Sequence, residues 1–338
     1  MSANKLDVVL ISESHVTDRS LFVVPGYCSY LTPHPDGSAH GGTAVIIRNC
    51  LKHHLLDHYR TPQIQATTIK LEQKSDFITL SAIYCPPRHK IDEALFSSYF
   101  KTLGSRFIAG GDWNAKHTFW GSRCTLPRGS ELKRSIDKNN LLTLSTGEPS
   151  YWPSDTKKRP DLLDFFVTKN VSHLFTSIAS SLDGSSDHSP IILELCSTAV
   201  TTRDNNVYLF NHKTDWQSFR DYINETINLK IPLKNKDDID YATLYVTNLI
   251  QVAGWLSTPH LNPKHHGTLL PLVIKAKIEE KRRLRRNWQS SRCPYDKTSL
   301  NRAIKELKTI LADSSNNTIK ANLESLSATG QGDQSLWK

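Results

Sequence analysis

The first part of the chain is a series of short apolar runs, rich in β-branched residues, each stopped by Gly, Pro, Asp or Ser. Seven of them read as strands: 6-LDVVLI-11, 43-TAVIIR-48, 64-IQATTIKL-71, 76-DFITLSAIY-84, 106-RFIAG-110, 164-DFFVT-168 and 190-PIILEL-195. The polar 72-EQKS-75 between Leu71 and Asp76 predicts a hairpin. Two stretches change to a helical period. Segment 91-IDEALFSSYFKTL-103 sets Ile91, Leu95, Tyr99 and Leu103 on one side, and 130-SELKRSIDKNN-140 opens on Ser130 as N-cap. Many strands with few helices predict an α+β sandwich of sheets rather than a regular βαβ array.

After Cys196 the pattern changes. Segment 197-STAVTTRDNN-206 is polar and aperiodic, which predicts a linker. Helical patterns follow at 214–227, with Thr214 as N-cap and Trp216, Phe219, Ile223 and Ile227 on one stripe, and at 238–256, 270–288, 296–313 and 317–327. No internal repeat is visible. The expected organisation is a mixed domain over 1–197, a linker over 198–212 and an all-α region over 213–338.

Composition narrows the partners. The 338 residues are 38% hydrophobic and 22% charged, a globular balance, and the net charge of +9 points to a polyanion, either nucleic acid or an acidic membrane surface. No apolar run approaches the roughly 20 residues of a membrane helix. The six cysteines, at 28, 50, 85, 124, 196 and 293, contain no C-x-x-C pair, so a zinc site is disfavoured. No secretory signal stands at the start, and reduced thiols in a soluble, intracellular protein are expected. Among the 14 histidines, His53, His54 and His58 fit one helical face and His265-His266 is a doublet. No Cys or carboxylate spacing completes a metal site around them, so they read as loop or surface residues.

The chemistry-bearing residues sit at strand ends. Glu13 follows the first strand, Asp112 and Asn114 follow 106-RFIAG-110, Asp164 opens its strand with Asp161 just before it, and Asp187-His188 precede the last strand. Each alone is more often a turn former or a cap, and Gly-Asp-x-Asn is a good turn sequence by itself. Their joint occurrence favours chemistry. Carboxylates, an amide and a histidine without cysteine suit a hard cation such as Mg²⁺, and together describe metal-assisted phosphodiester hydrolysis.

The order of these residues resembles the endonuclease/exonuclease/phosphatase superfamily and, within it, the apurinic-type endonuclease domain of jockey-like non-LTR retrotransposons. The matching words are 10-LISESH-15, 41-GGTAVIIR-48, 82-AIYCPP-87, 110-GGDWNAKHTFWGSR-123, 160-PDLLDFFVTK-169 and 186-SDHSPI-191, over roughly residues 5 to 196. The resemblance implies a four-layer fold with a two-sheet β-sandwich flanked by helices. It implies Glu13 and Asp187 as metal residues for Mg²⁺, with Mn²⁺ as substitute. Asp112 and Asn114 would orient the attacking water, Tyr84 would lie near the phosphate, and His188 would meet the phosphate with Asp164 holding its ring. Ser150 and Ser186 match lesser polar positions, and His117 and Arg123 are candidate DNA contacts. Such domains open on a strand bearing an Asn in W-N-x-x-G, followed by a helix. This chain begins at the second strand, so that strand, helix and asparagine are expected to be missing.

The basic segment 275-KAKIEEKRRLRR-286 holds seven basic and two acidic residues, a net of +5. Lys281, Arg282, Arg283, Arg285 and Arg286 could neutralise phosphates, with Trp288 stacking on a base. The alternative is a solvated helix with Ile274, Ile278 and Leu284 facing a core. The segment order resembles the junction between endonuclease and reverse transcriptase in jockey-like polyproteins. No polymerase word is present. The implied partners are DNA, the element's own RNA and a reverse transcriptase domain in the full-length polyprotein, with the nucleus as site of action. The competing expectations are a catalytically silent fragment that at most binds nucleic acid, and a repair or lipid-phosphate hydrolase, against which the basic helices and the NAKHxxWGSR word argue.

Overall fold

The computed structural model describes residues 6–73, 76–171, 175–196, 210, 213–258 and 271–325. Contacts divide the chain into two compact units, Met1–Thr201 with Leu269–Lys338, and Thr202–Thr268.

In the first unit β1 (Val8–Ser12), β2 (Tyr27–Thr32) and β3 (Thr43–Arg48) form an antiparallel sheet in the order β1-β3-β2. The larger sheet is built from β4 (His53–Leu55), β5 (Tyr59–Arg60), β6 (Gln65–Glu72), β7 (Phe77–Tyr84), β8 (Phe107–Asp112), β9 (Leu142–Leu144) and β10 (Asp164–Lys169). Its order is β4-β6-β7-β8-β10-β9, with β5 also on β6. Strands β6 and β7 make the expected hairpin, from Gln65↔Tyr84 to Glu72↔Phe77. Strands β7 and β8 are parallel, joined across the sheet by α1 (Glu93–Thr102). Helix α2 (Pro127–Lys138) follows β8, and β11 (Phe175–Ser180) pairs antiparallel with β12 (Ile191–Leu195).

Period-two alternation explains the layers. In β8 and β10, Phe107, Ala109, Phe165 and Val167 turn towards Phe96, Tyr99 and Phe100 of α1 and Leu132 and Ile136 of α2. On the other face Ile78, Leu80, Ala82 and Ile108 meet Val45 and Ile47 of β3, with Val8, Leu10 and Leu193 packed against them. The result is the expected α+β sandwich of two sheets, with helices covering the outer face of the larger one. Trp113 and Trp120 lock the loop after β8: their indole N–H groups donate to Phe165 O and Ala115 O, each at 3.0 Å, and both rings stack on Phe165.

Several expected boundaries move. Helix α2 begins one turn before Ser130, with Leu126 as N-cap and Pro127 in the first turn, where the missing N–H of proline costs nothing. His53 and His54 are on β4, not on a helix; His53 Nδ1 and Nε2 contact Leu51 O (2.6 Å) and the Tyr30 hydroxyl (3.0 Å), and His58 Nδ1 contacts Thr32 Oγ1 at 2.6 Å. His265 and His266 lie outside the described residues.

In the second unit α3 (Trp216–Thr226) is capped by Asp215 rather than Thr214, because the Asp215 carboxylate accepts from the Gln217 and Ser218 amides at 3.0 and 3.2 Å. It packs with α4 (Lys236–Ser257), and the Tyr245 hydroxyl donates to Thr226 O at 2.8 Å. In the first unit, α5 (Leu272–Ser291) pairs with α6 (Pro294–Ser325). Helix α6 is continuous where two helices were expected: 314-SSNN-317 has weak helix formers but no Gly or Pro to break the backbone. Among the described residues no helix is long and apolar enough to cross a membrane.

Gly111 is required by close approach at the site itself. A Cβ on Gly111 (φ +152°) would stand 2.0 Å from Ile83 O and 2.5 Å from Ser12 Oγ. Gly104 (φ +82°) is also left-handed, but a Cβ there would meet nothing within 4 Å. Gly104→Ala should therefore cost only about 1 kcal/mol of backbone strain, and Gly111→Ala about 2–4 kcal/mol more, in urea unfolding of the full chain. Equal losses would contradict this packing.

Candidate active site

The sheet register assembles the centre. Tyr84 of β7 is the Cα partner of Asp112 on β8, and Asp112 is the partner of Asp164 on β10. Residues on one rung point to one face, so three of the expected site residues form a row on the face turned towards the smaller sheet. Strand β1 crosses the end of that row. The Ser12 hydroxyl donates to Ile83 O at 2.7 Å and accepts the Asp112 N–H at 3.0 Å. The next residue, Glu13, has φ +52°, and its carboxylate accepts the Tyr84 hydroxyl. Asn114, at φ +46°, donates its amide N–H to Asp112 Oδ1 at 2.9 Å and its Nδ2 to Asp112 Oδ2 at 2.7 Å and Cys85 O at 3.2 Å. Left-handed backbone is tolerated by Asn but strains Glu, and such residues concentrate at functional sites.

The last two expected residues arrive on the loop before β12. His188 Nδ1 lies 2.6 Å from Asp164 Oδ2. Ser186 Oγ donates to Asp187 Oδ1 at 3.1 Å and accepts the His188 N–H at 3.2 Å. The Trp152 N–H holds Asp187 O at 2.8 Å, and the Tyr151 ring stands 4.9 Å from that of His188.

Burial and charge tune these groups. Burial, then the neighbouring Asp164 charge, pushes the Asp112 carboxyl well above its ordinary range. Burial, then the bond to Glu13, raises the Tyr84 hydroxyl. For His188 burial opposes the charged ring, but the hydrogen bond and charge of Asp164, with Asp112 and Asp187, outweigh it and lift the imidazole to about 9.

Other expected residues go elsewhere. Ser150 is fully buried and its hydroxyl accepts the Leu163 and Asp164 amides, both at 2.9 Å, which makes it a strut under Asp164. His117 Nδ1 accepts the Phe119 N–H at 3.0 Å and caps a short 3-10 turn. Arg123 is half-exposed, with Nε 3.0 Å from Pro160 O. Asp161 is a buried anchor, 2.9 Å from Lys116 Nζ and 3.5 Å from Arg123 Nε. Of the five basic residues expected to bind on α5, Arg283 and Arg286 are exposed and Arg282 partly so. Lys281 and Arg285 are buried at 4% and 2% exposure, and Trp288 at 1% has no face free for a base.

Some contributors carried no sequence signal. Arg128 resembles any helix-surface arginine, yet its guanidinium ties the Cys85, Pro86 and Pro87 carbonyls to Asn114 O, at 3.2, 2.8, 3.1 and 3.4 Å. A cavity of about 420 Å³ beside Tyr151 is lined by Lys116, Arg123, Lys157, Lys158 and Arg159; the 157-KKR-159 run was its available signal.

The donors at the centre are oxygens, which suits a hard divalent cation. Glu13 is exposed and Asp187 partly exposed, so both carboxylates are open to a cation that keeps several of its waters. Among the described residues, the group whose ligand atoms lie within 4.8 Å of one another is instead His34, Asp36 and His40, in the exposed loop before β3.

A family model described as endonuclease-reverse transcriptase matches residues 78–192. The RNA-directed DNA polymerase from mobile element jockey of Drosophila funebris is 30% identical over 341 residues, covering 100% of this chain and 37% of that protein. The probable RNA-directed DNA polymerase from transposon BS of Drosophila melanogaster is 31% identical over 339 residues, covering 99% and 37%. The chain thus spans little more than a third of the length of these relatives. Among solved structures, the endonuclease domain of TRAS1, a telomere-specific non-LTR retrotransposon, is 24% identical with a TM-score of 0.49, over 57% of this chain and 88% of that one. Residues 78–192 thus match the endonuclease-reverse transcriptase family model, and the chain is similar along its whole length to a part of the jockey-like RNA-directed DNA polymerases.

Proposed function

We propose that this chain is the DNA-nicking endonuclease part of a non-LTR retrotransposon polyprotein, acting with Mg²⁺, or Mn²⁺ in its place, and leaving a 3′-hydroxyl that primes reverse transcription. The observation that carries this reading is the row Tyr84–Asp112–Asp164 with His188 bonded to its end at 2.6 Å. With Nδ1 engaged by Asp164, Nε2 is the His188 atom that meets a phosphate oxygen. A ring that titrates at about 9 brings a positive charge to that contact at neutral pH. Asp112, fixed by Asn114, orients the attacking water, and the Tyr84 hydroxyl keeps Glu13 in place. Glu13 and Asp187 would hold the divalent cation, which supplies charge neutralisation on the phosphate. The cavity lined by Lys116, Arg123 and Lys157 to Arg159 offers cations for flanking backbone phosphates, with exposed Arg283 and Arg286 as further cations on α5. The polymerase and the element's RNA are the remaining partners of this reading.

A second reading, a catalytically silent nucleic-acid binder, is favoured by the same basic cavity, since phosphate binding there needs none of the carboxylates. Salt-dependent DNA binding without nicking would select it.

The test is relaxation of supercoiled plasmid. With Mg²⁺ the chain should produce nicked circles, EDTA should abolish them, and Asp187→Ala or His188→Ala should lower the rate at least about 100-fold. Undiminished nicking by either variant would sink the assignment.

The His188–Asp164 pair makes a separate prediction for the metal-free chain. Because the folded imidazole is lifted from 6.5 to about 9, its contribution to stability is complete below 6.5 and is lost as the pH rises through 9. Asp164→Asn should return the ring towards its ordinary value and remove that loss, read by NMR titration of the His188 ring protons and by melting between pH 6 and 10. A ring that titrates unchanged in Asp164→Asn would contradict the pairing.

A further inference from the structure

The buried residues of α5 are Ile274, Lys281, Arg285 and Trp288. Their spacings of seven, four and three put them on one stripe, and two of the four are cations. Burying such groups costs several kcal/mol unless their donors are met. What meets them, Arg285 Nε excepted, is main chain in the loop that carries the candidate catalytic histidine. Lys281 Nζ donates to Asp183 O and lies 3.4 Å from Gly184 O. Arg285 Nη1 donates to Gly184 O at 2.7 Å, and Nη2 to Ser186 O at 3.0 Å and His188 O at 2.9 Å. Arg282 Nε reaches Asp183 Oδ1 at 2.6 Å, and Gln289 Nε2 reaches Ser189 Oγ at 3.2 Å. Trp288 continues the stripe against Trp152, ring centroids 6.3 Å apart, whose own N–H holds Asp187 O.

This pattern is not that of a helix resting on a surface. An irregular loop ordinarily turns its carbonyls to water. Here the carbonyls of residues 183, 184, 186 and 188 converge on two side chains one helical turn apart. A guanidinium is planar and always charged, so one side chain can fix several carbonyls in a set geometry. Arg285 holds the main chain on both sides of Asp187, and the His188 ring is aimed at Asp164 from one of the peptides it holds.

We propose that α5 is a brace for the catalytic loop: Arg285, with Lys281, positions Asp187 and His188 from a helix outside the β-sandwich. The brace rests on the contacts above; its effect on cleavage rests on the nuclease reading. Arg285 is a positioning residue, since it touches the loop and not the reacting atoms.

The experiment uses the full chain as wild type, Arg285→Met, Arg285→Lys and, as a charge-loss control on the exposed face of α6, Arg302→Gln. Amide hydrogen exchange by mass spectrometry reports the loop directly. In Arg285→Met, exchange of peptides covering 183–189 should rise at least about 10-fold while β8 and β10 peptides stay as they were. Plasmid nicking should lose kcat by about 10- to 100-fold with KM little changed, because a misplaced group costs rate rather than binding. Arg285→Lys should recover part of both, and Arg302→Gln should change neither. Lys281→Met releases only the Asp183–Gly184 end and is the milder variant should Arg285→Met not fold; it should loosen the same loop. Unchanged exchange at 183–189, exchange rising equally across the sandwich, or a loosened loop with undiminished kcat would overturn the proposal. If the wild-type chain does not nick, the nuclease reading fails and the exchange data alone decide the brace.

Discussion

The register of three adjacent strands is the constraint on which the rest depends. A parallel pairing of β7 with β8 and an antiparallel pairing of β8 with β10 place Tyr84, Asp112 and Asp164 on one rung. A slip of one residue in either pairing would turn a member of the row to the helix-covered face. The register is held where it matters. Gly111 lets Ser12 come close enough to bridge Ile83 O and the Asp112 amide, so β1 is tied to the rung by one hydroxyl. Ser150 does the same from below, taking the Leu163 and Asp164 amides.

Much of this was legible, and for identifiable reasons. Strands with β-branched runs and hard stops, such as 43-TAVIIR-48 and 76-DFITLSAIY-84, announce themselves because both faces are buried. Strands β4, β5 and β9 are two or three residues long and carry no period to read. In the site, Asp112, Asn114, Asp164 and His188 could be singled out because polar residues at strand ends are chemically conspicuous. Arg128 could not, since only the fold brings the Cys85, Pro86, Pro87, His89 and Asn114 carbonyls around one guanidinium. Ser150 and Asp161 show the converse: polar residues beside a site are as readily struts as contacts, and burial separates the two.

Helix α5 is where sequence reasoning was furthest off. Cations are normally on the solvated face of a helix, and both expectations for 281-KRRLRR-286, contact with phosphates and simple solvation, place them there. The stripe from Ile274 through Lys281 and Arg285 to Trp288 was present in the spacing, but its middle members are charged, so no apolar pattern marked it. What makes it a core face is an irregular loop with carbonyls to satisfy, far away in sequence. A helix that looks like a connector thereby shares in shaping the site.

The most direct measurement is the chemistry of the ends left on nicked plasmid. Hydrolysis at a site built from the Asp112–Asn114 pair, His188 and the Glu13 and Asp187 carboxylates should leave a 3′-hydroxyl, so a DNA polymerase should extend the nick with labelled nucleotide without prior phosphatase treatment. Nicks that can be extended only after a 3′-phosphate is removed, or plasmid that stays supercoiled with Mg²⁺ present, would contradict the account.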